Sequence, residues 1–407
     1  MERREFIRRA VVGLGAVAIG GRLSAAAPAD PKVEHRHEVP PMSYVRFGRT
    51  NLAVSRLVHG SLHTTRERLP LLAALYDGGV NFFDTAWRYG GGRSEEAFGE
   101  FFGQAGRRDK VFLASKVDIR DQLKAGRGAY EEAVKQTETS LKRLRTDRLD
   151  MLMLHGCTTL IDWIDHPEWL RACDDLKRQG KVRFIGVSEH AKPAEVLQKM
   201  AASGRYDMAM IAFSVTRGEW GGLSRTDRKS IEPALEVARK ADLGIVVMKA
   251  AMQADQIVGE APDPRLKKSG YSAWQLCYRW VLDVPNVHAV VSGMTNMTHV
   301  EENLKVPGMS LASADRRALE RLAARSSVCG FCGTCLDACE RGVAVQDILR
   351  FHGYWRHGYR EAARADYAAL AAGERADACR DCGACESACP RRLPIRRLLR
   401  EAHDALA

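Results

Sequence analysis

Four residues sit where short apolar runs stop. NFF leads into Asp84, VFLAS into Lys116 and LDMLML into His155, and Tyr89 follows Asp84 by five residues in DTAWRYGGG. An acid, a phenol, an amine and an imidazole are the groups from which proton-transfer sites are built, and a phenol of ordinary pKa near 10 needs help to work near neutral pH. The plainer readings are turn residues for Asp84 and Tyr89, a buried ion pair for Asp84 with Lys116, and a core histidine for His155.

A second set of residues asks for metal. Eight of the eleven cysteines fall in the last eighty residues, as Cys329-x2-Cys332-x2-Cys335-x3-Cys339 and Cys379-x2-Cys382-x2-Cys385-x3-Cys389-Pro390. In this spacing three thiolates of one run hold a [4Fe–4S] cubane and the fourth ligates the other cluster. One cluster is thus expected on Cys329, Cys332, Cys335 and Cys389, and the other on Cys379, Cys382, Cys385 and Cys339. Two zinc sites would leave the third cysteine and the trailing Cys-Pro without use, and disulfides are the other reading in an oxidising compartment. Cys157, Cys173 and Cys277 stand among apolar neighbours and read as buried thiols.

The elements that must position these groups alternate short apolar runs with longer amphipathic ones. Strands are expected near 54–60, 80–84, 111–117, 149–155, 182–188, 208–214, 244–249 and 288–293. Between them lie helical patterns such as 129–144, where Val134, Thr137, Leu141 and Leu144 form one face. Eight such units predict an α/β protein with a (β/α)8 TIM barrel, whose active site lies at the carboxyl ends of the strands. Gly90, Gly91 and Gly92 permit a tight turn before Ser94, read as the cap of a helix starting at Glu95. His59 and Lys249 also close strands, but no motif surrounds them and they are read as ordinary strand-end residues.

Asp84, Tyr89, Lys116 and His155, in the contexts FDTAWRYG, SEEAFGE, ASK and LDMLMLHG, resemble the catalytic tetrad of the aldo-keto reductases. The resemblance spans residues 43–325. It implies carbonyl–alcohol redox chemistry on a small molecule, with hydride from a nicotinamide and the proton from Tyr89. Lys116 would stabilise the phenolate, Asp84 would orient Lys116, and His155 would orient or polarise the carbonyl. VVSGMTNMTHVEEN (290–303) is similar to the segment that holds the cofactor's adenosine end, which implies contacts from Gly293, Glu302 and Asn303. Gly293 and His299 stand where Lys and Arg are common in NADP-preferring members, so of NAD(P) the NAD form is favoured. Ser188-Glu189 replaces the family's Ser-Asn, leaving Ser188 as the expected amide contact, and Met210 replaces its Gln. The chain offers no G-x-G-x-x-G after a strand, hence no flavin signature.

The tail, residues 326–407, resembles the α-helical two-cluster ferredoxins. Thirty-nine residues separate its cysteine runs, including the helical patterns VQDILRFHGYWRHGY and REAARADYAALAAG, and RRLPIRRLLREAHDAL closes the chain as a helix. Glu340 stands where the family has proline after the first run.

Residues 1–30 read as a leader: basic MERREFIRRA, apolar VVGLGAVAIGG, then small RLSAAAPAD. Arg3-Arg4 before Glu5-Phe6-Ile7-Arg8 resembles a twin-arginine signal. The apolar run, about eleven residues, is too short to span a bilayer core of about 30 Å. Residues 31–42 read as a linker. The net charge of +11 is spread along the chain, which fits a solvated basic surface and not a nucleic-acid interface. The expectation is an exported, periplasmic oxidoreductase with two [4Fe–4S] clusters and a redox partner protein, touching membrane only through an uncleaved leader. The alternative is an electron-transfer or docking subunit whose barrel no longer reduces carbonyls.

Overall fold

Eight parallel strands close on themselves. The computed structural model describes residues 32–407 apart from 63, 105, 157–160, 191, 218–224, 260–263, 265, 267–268 and 331, so the leader and Cys157 lie outside the described residues. Three short strands come first: β1 (Glu34–His35), β2 (Tyr44–Arg46) and β3 (Leu52–Ser55), paired in the order β1-β3-β2. The barrel follows as β4 (Leu57–Gly60), β5 (Phe82–Asp84), β6 (Phe112–Val117), β7 (Leu149–His155), β8 (Val182–Glu189), β9 (Met208–Ala212), β10 (Gly244–Met248) and β11 (Ala289–Ser292), with β11 pairing β4 to close it. Parallel strands need crossovers, and helices such as Arg93–Phe102, Ala129–Leu144 and Pro167–Arg178 supply them.

Two sequence expectations change in detail. The run 54–60 is two strands, because the Ser55 hydroxyl bonds Leu57 O at 2.7 Å and Asn81 Oδ1 accepts Ser55 N at 2.8 Å, which turns the chain between sheet and barrel. Part of the stretch read as linker is β1, tied down by its register with β3. Beneath the barrel, fully buried Asp150 draws in Arg36 at 3.2 Å, Arg108 at 2.9 Å and Arg183 at 2.9 Å. Burial alone would raise the Asp150 pKa, yet Arg108 and Arg36 hold it below the usual value.

The barrel interior is filled by Phe82, Phe112, Met151, Met153, Met208, Met210 and Met248, a packed core that closes the bottom and leaves the upper end for chemistry. A larger apolar layer joins strands to helices. Helix Ala129–Leu144 buries Ala133, Thr137, Leu141 and Leu144, while Val134 is only half-buried at the edge of that face.

After helix Ser313–Arg325 the tail forms helices Val345–Arg356, Arg360–Ala368 and Ile395–Leu406 around Ile348, Phe351, Tyr367, Leu399 and Ala402. Leu62 and Met252, from loops above the barrel, pack into this tail core, and His357 Nε2 meets Met252 O at 2.9 Å. Arg391 donates to Thr216 O at 3.2 Å and Ala323 O at 3.0 Å, and Lys192 pairs with Asp337 at 2.8 Å. The tail therefore sits on the mouth of the barrel. Among the described residues no helix is long and apolar enough to cross a membrane.

Candidate active site

The loop after β5 turns on three consecutive glycines, Gly90, Gly91 and Gly92, at φ 59°, 67° and 101°, a left-handed path that side-chain-bearing residues rarely take. It starts the next helix at Arg93, with Gly92 as cap. Ser94 lies inside the first turn, and its hydroxyl instead reaches Ser61 O and Thr85 Oγ1, both at 2.9 Å. The turn lays Tyr89 back over the barrel axis.

Lys116 Nζ donates to Asp84 Oδ2 at 2.6 Å, to Thr85 O at 2.7 Å and to Tyr89 OH at 3.4 Å. The His155 ring stands edge-on to Tyr89, with centroids 5.7 Å apart. All four tetrad residues thus converge. Burial raises Asp84 and lowers Lys116, each opposed by the other's charge. Burial and the nearby Asp84 push Tyr89 well up, so at rest it is a neutral phenol holding its proton. Burial and Lys116 push His155 well down, leaving a neutral imidazole.

Two cavities meet at Tyr89. The larger, 480 Å3, runs from Asp84 and Tyr89 past Met210, Lys249 and Trp274 to Gly293, Glu302 and Asn303. The smaller, 70 Å3, lies on the His155 side with Arg88, Asp118, Arg120 and His190. The tail roofs both: Tyr354, His357 and Tyr359 line the larger, and Asp347, Arg350, Phe351, Tyr354 and Asp366 line the smaller.

The eight tail cysteines gather as two groups. Cys329, Cys332, Cys335 and Cys389 surround one cavity, and Cys339, Cys379, Cys382 and Cys385 surround another. Each group thus mixes the two runs, in the crosswise pattern expected from the spacing. All eight are free thiols, and among the described residues no group of three His, Cys, Asp or Glu converges on a single ion. Thiols spread around a cavity wall suit a multi-iron cluster. The first cavity also carries an orphan: Gln346 is 1 % exposed and neither of its amide atoms has a partner. A buried amide without a partner costs roughly 1–3 kcal/mol, and cluster sulfurs beside it would accept its N–H. The residues fit iron–sulfur clusters.

Comparison with known proteins agrees with this geometry. Residues 59–256 match the aldo/keto reductase family model. The chain carries an aldo/keto reductase domain. Residues 325–393 match the 4Fe-4S dicluster domain. The uncharacterised oxidoreductase YrpG of Bacillus subtilis is 29% identical over 66% of this chain and 92% of its own length. Norsolorinic acid reductase A of Aspergillus parasiticus is 25% identical over 61% of this chain and 70% of its own. Among solved structures, an aldo-keto reductase from Klebsiella pneumoniae in complex with NADPH is 25% identical with a TM-score of 0.54, covering 70% of this chain and 95% of that one. The protein is an aldo-keto-reductase-type oxidoreductase with an iron–sulfur domain.

In the aldo/keto reductase domain, Gly293, Glu302 and Asn303 line the far end of the larger cavity, whereas Ser188, 1 % exposed, lies outside both cavities. Its carbonyl accepts Gly156 N at 2.9 Å, as part of the pairing of β7 with β8. Asn303 Nδ2 donates to Ser292 Oγ at 3.1 Å, but its buried Oδ1 has no partner. An orphan acceptor beside the Glu302 carboxylate fits the amino edge of an adenine. Lys249 is the single Lys or Arg on that cavity's wall among the described residues, and it stands at the Tyr89 end. Sequence reasoning missed Lys249, Arg350, Tyr354 and Asp366 as site residues. A strand-end position marked Lys249, but no motif signalled the tail residues. His59 matches its plain reading: it is buried, bonded to Thr64 at 3.0 Å, and lowered to about 3 by burial.

Proposed function

We propose that the protein interconverts a small carbonyl compound and its alcohol at Tyr89, after export by the twin-arginine route to the periplasm, and exchanges electrons with a partner protein through two [4Fe–4S] clusters. The observation that carries this reading is Lys116 Nζ set between Asp84 and Tyr89 beside a neutral His155, at the end of a cavity large enough for a dinucleotide. Gly293, Glu302 and Asn303 would hold the adenosine end of NAD(P) in that cavity, and the nicotinamide would supply or accept hydride. Tyr89 gives its proton to the developing alkoxide, and the Lys116 ammonium offsets the charge left on the phenolate. His155, neutral, donates an N–H to the same oxygen. Arg350, Phe351 and Tyr354 exclude water.

Cys329, Cys332, Cys335 and Cys389 would hold one cluster beside Gln346, and Cys339, Cys379, Cys382 and Cys385 the other, with exposed Cys382 toward solvent and a partner. Gln346 and Arg350 lie one turn apart on helix Val345–Arg356, about 6 Å along its axis, so the first cluster site and the active site share one helix. A nicotinamide passes two electrons as hydride and a cluster takes one. With no flavin signature in the chain, NADH alone is expected not to bleach the cluster absorption at the rate of turnover, and rapid anaerobic mixing measures this.

A second reading makes the barrel a docking or electron-transfer subunit, and the 70 Å3 left beside His155 favours it. Trp274 on the wall of the larger cavity separates the two. Saturable quenching of tryptophan fluorescence by NADH, with carbonyl turnover, supports the enzyme; neither response supports the subunit.

A further inference from the structure

The junction of the two cavities carries a charge without a counterpart. Leu62, Tyr89, Lys249 and Tyr354 line both spaces. Around them stand five cations, Arg88, Lys116, Arg120, Lys249 and Arg350, and four carboxylates, Asp84, Asp118, Asp347 and Asp366. Lys116 pairs with Asp84 at 2.6 Å, Arg88 and Arg120 with Asp118 at 2.8 Å each, and Arg350 with Asp347 at 2.6 Å. Asp366 lies 3.7 Å from Arg88. Among the described residues Lys249 has no carboxylate partner within 4 Å.

Instead, Lys249 Nζ lies over the Tyr354 ring, 4.7 Å from its centroid, and Arg350 Nη1 donates to Tyr354 OH at 3.3 Å. Arg350 is 9 % exposed, and its Nε has no partner. Burial would raise Tyr354, but Lys249 and Arg350 outweigh it and lower the phenol. Lys249 is also held at φ 62°, a left-handed backbone that costs a non-glycine residue about 1–3 kcal/mol and is found where function fixes it. An ammonium, an unfilled guanidinium N–H and a phenol around a surplus of one positive charge describe a receptor for a planar monoanion.

We propose that Lys249, Arg350 and Tyr354 bind the carboxylate of the substrate, which sets the adjacent carbonyl against Tyr89 and His155 and makes the substrate class a small 2-oxo acid or its 2-hydroxy acid. This rests on the carbonyl–alcohol reading above. In the reduction the carbonyl carbon takes hydride from reduced nicotinamide, its oxygen takes the Tyr89 proton, and the carboxylate is unchanged. A phosphate, with nearly two charges, overfills the surplus of one.

The test uses the holoenzyme, with oxamate and its neutral analogue oxamide as binding probes and pyruvate and pyruvamide as substrates. Oxamate is expected to bind at least tenfold tighter than oxamide to the wild type, a comparison that needs no variant. Lys249→Met is expected to weaken oxamate at least tenfold and to lower the pyruvate-to-pyruvamide ratio of kcat/KM by a similar factor, with Lys249→Arg restoring much of both. Tyr89→Phe keeps oxamate binding. Equal binding of oxamate and oxamide, or a ratio unmoved in Lys249→Met, overturns the subsite even where neutral carbonyls turn over. Lys249-dependent oxamate binding without turnover of any carbonyl keeps the subsite and removes the carbonyl reading instead.

Discussion

Replacing Lys116 by Met separates what the ion pair does for folding from what it does for chemistry. Asp84 is 2 % exposed, and its Oδ1 already lacks a partner, so without Lys116 the carboxylate has no cation within bonding reach and takes up a proton on folding. Burial already raises Asp84 with Lys116 present, and the variant extends that shift. A carboxyl raised in the folded state contributes stability below its unfolded pKa and loses it as pH rises. The penalty in Lys116→Met therefore grows as pH rises above the unfolded value near 3.9, by at most about 1.4 kcal/mol per pH unit. Breaking a buried pair by removing one partner typically costs roughly 3–5 kcal/mol, the loss expected near pH 7. Asp84→Asn with Lys116→Met removes both charges, so its stability should recover most of this loss and not vary from pH 5 to pH 7. Turnover should not recover, remaining at least ~100-fold down, since Tyr89 still lacks its cation. Urea midpoints at the two pH values and steady-state rates read both effects. A single variant within about 1 kcal/mol of wild type at pH 7, or a penalty that does not grow with pH, refutes the buried-charge account.

Tyr89→Phe should abolish carbonyl turnover while leaving cofactor-dependent quenching of Trp274 intact, because only the hydroxyl is lost; equal turnover by both proteins removes Tyr89 as the acid. Cys389→Ser should alter the EPR signal of the cluster expected on Cys329, Cys332 and Cys335, sixty residues upstream, and a change confined to the other cluster contradicts the crosswise set. Gln346→Leu removes the amide facing the same cavity. The midpoint potential of that cluster should move to a more negative value in an EPR redox titration, and an unmoved potential shows that the amide does not reach the sulfurs.

The tetrad could be read from the chain because a buried parallel strand spells an uninterrupted apolar run, and one ionisable residue closing such a run has few places to be. Lys116 and His155 announce themselves this way, as the cysteines do by spacing. Ser188 is buried where β7 and β8 pair, and a position alongside a motif does not say which way a strand-end side chain faces. Ser94 was read as a cap because Ser is a common one, but Gly92 at φ 101° took that place and released the hydroxyl to bond Ser61. Arg350 and Tyr354 had no local signal. They lie on an amphipathic helix whose pattern specifies a buried stripe, and a stripe does not state which surface covers it. Their place on the cavity wall follows from how the tail docks, through contacts such as Arg391 with Thr216 and Lys192 with Asp337.

Helix Val345–Arg356 presents Gln346 and Leu349 to one cysteine cavity and Arg350 and Tyr354 to the reaction pocket. Two matched domains follow one another along the chain, yet the pocket is not the property of either. Cutting after residue 325 would yield a barrel with its tetrad in place and its roof gone, open to water on the side of Tyr89 and His155. The appended domain cannot be exchanged for another without also changing the residues that line the barrel's pocket. Modularity in the order of the sequence stops at the pocket, where the two domains share one piece of chemistry and have to change together.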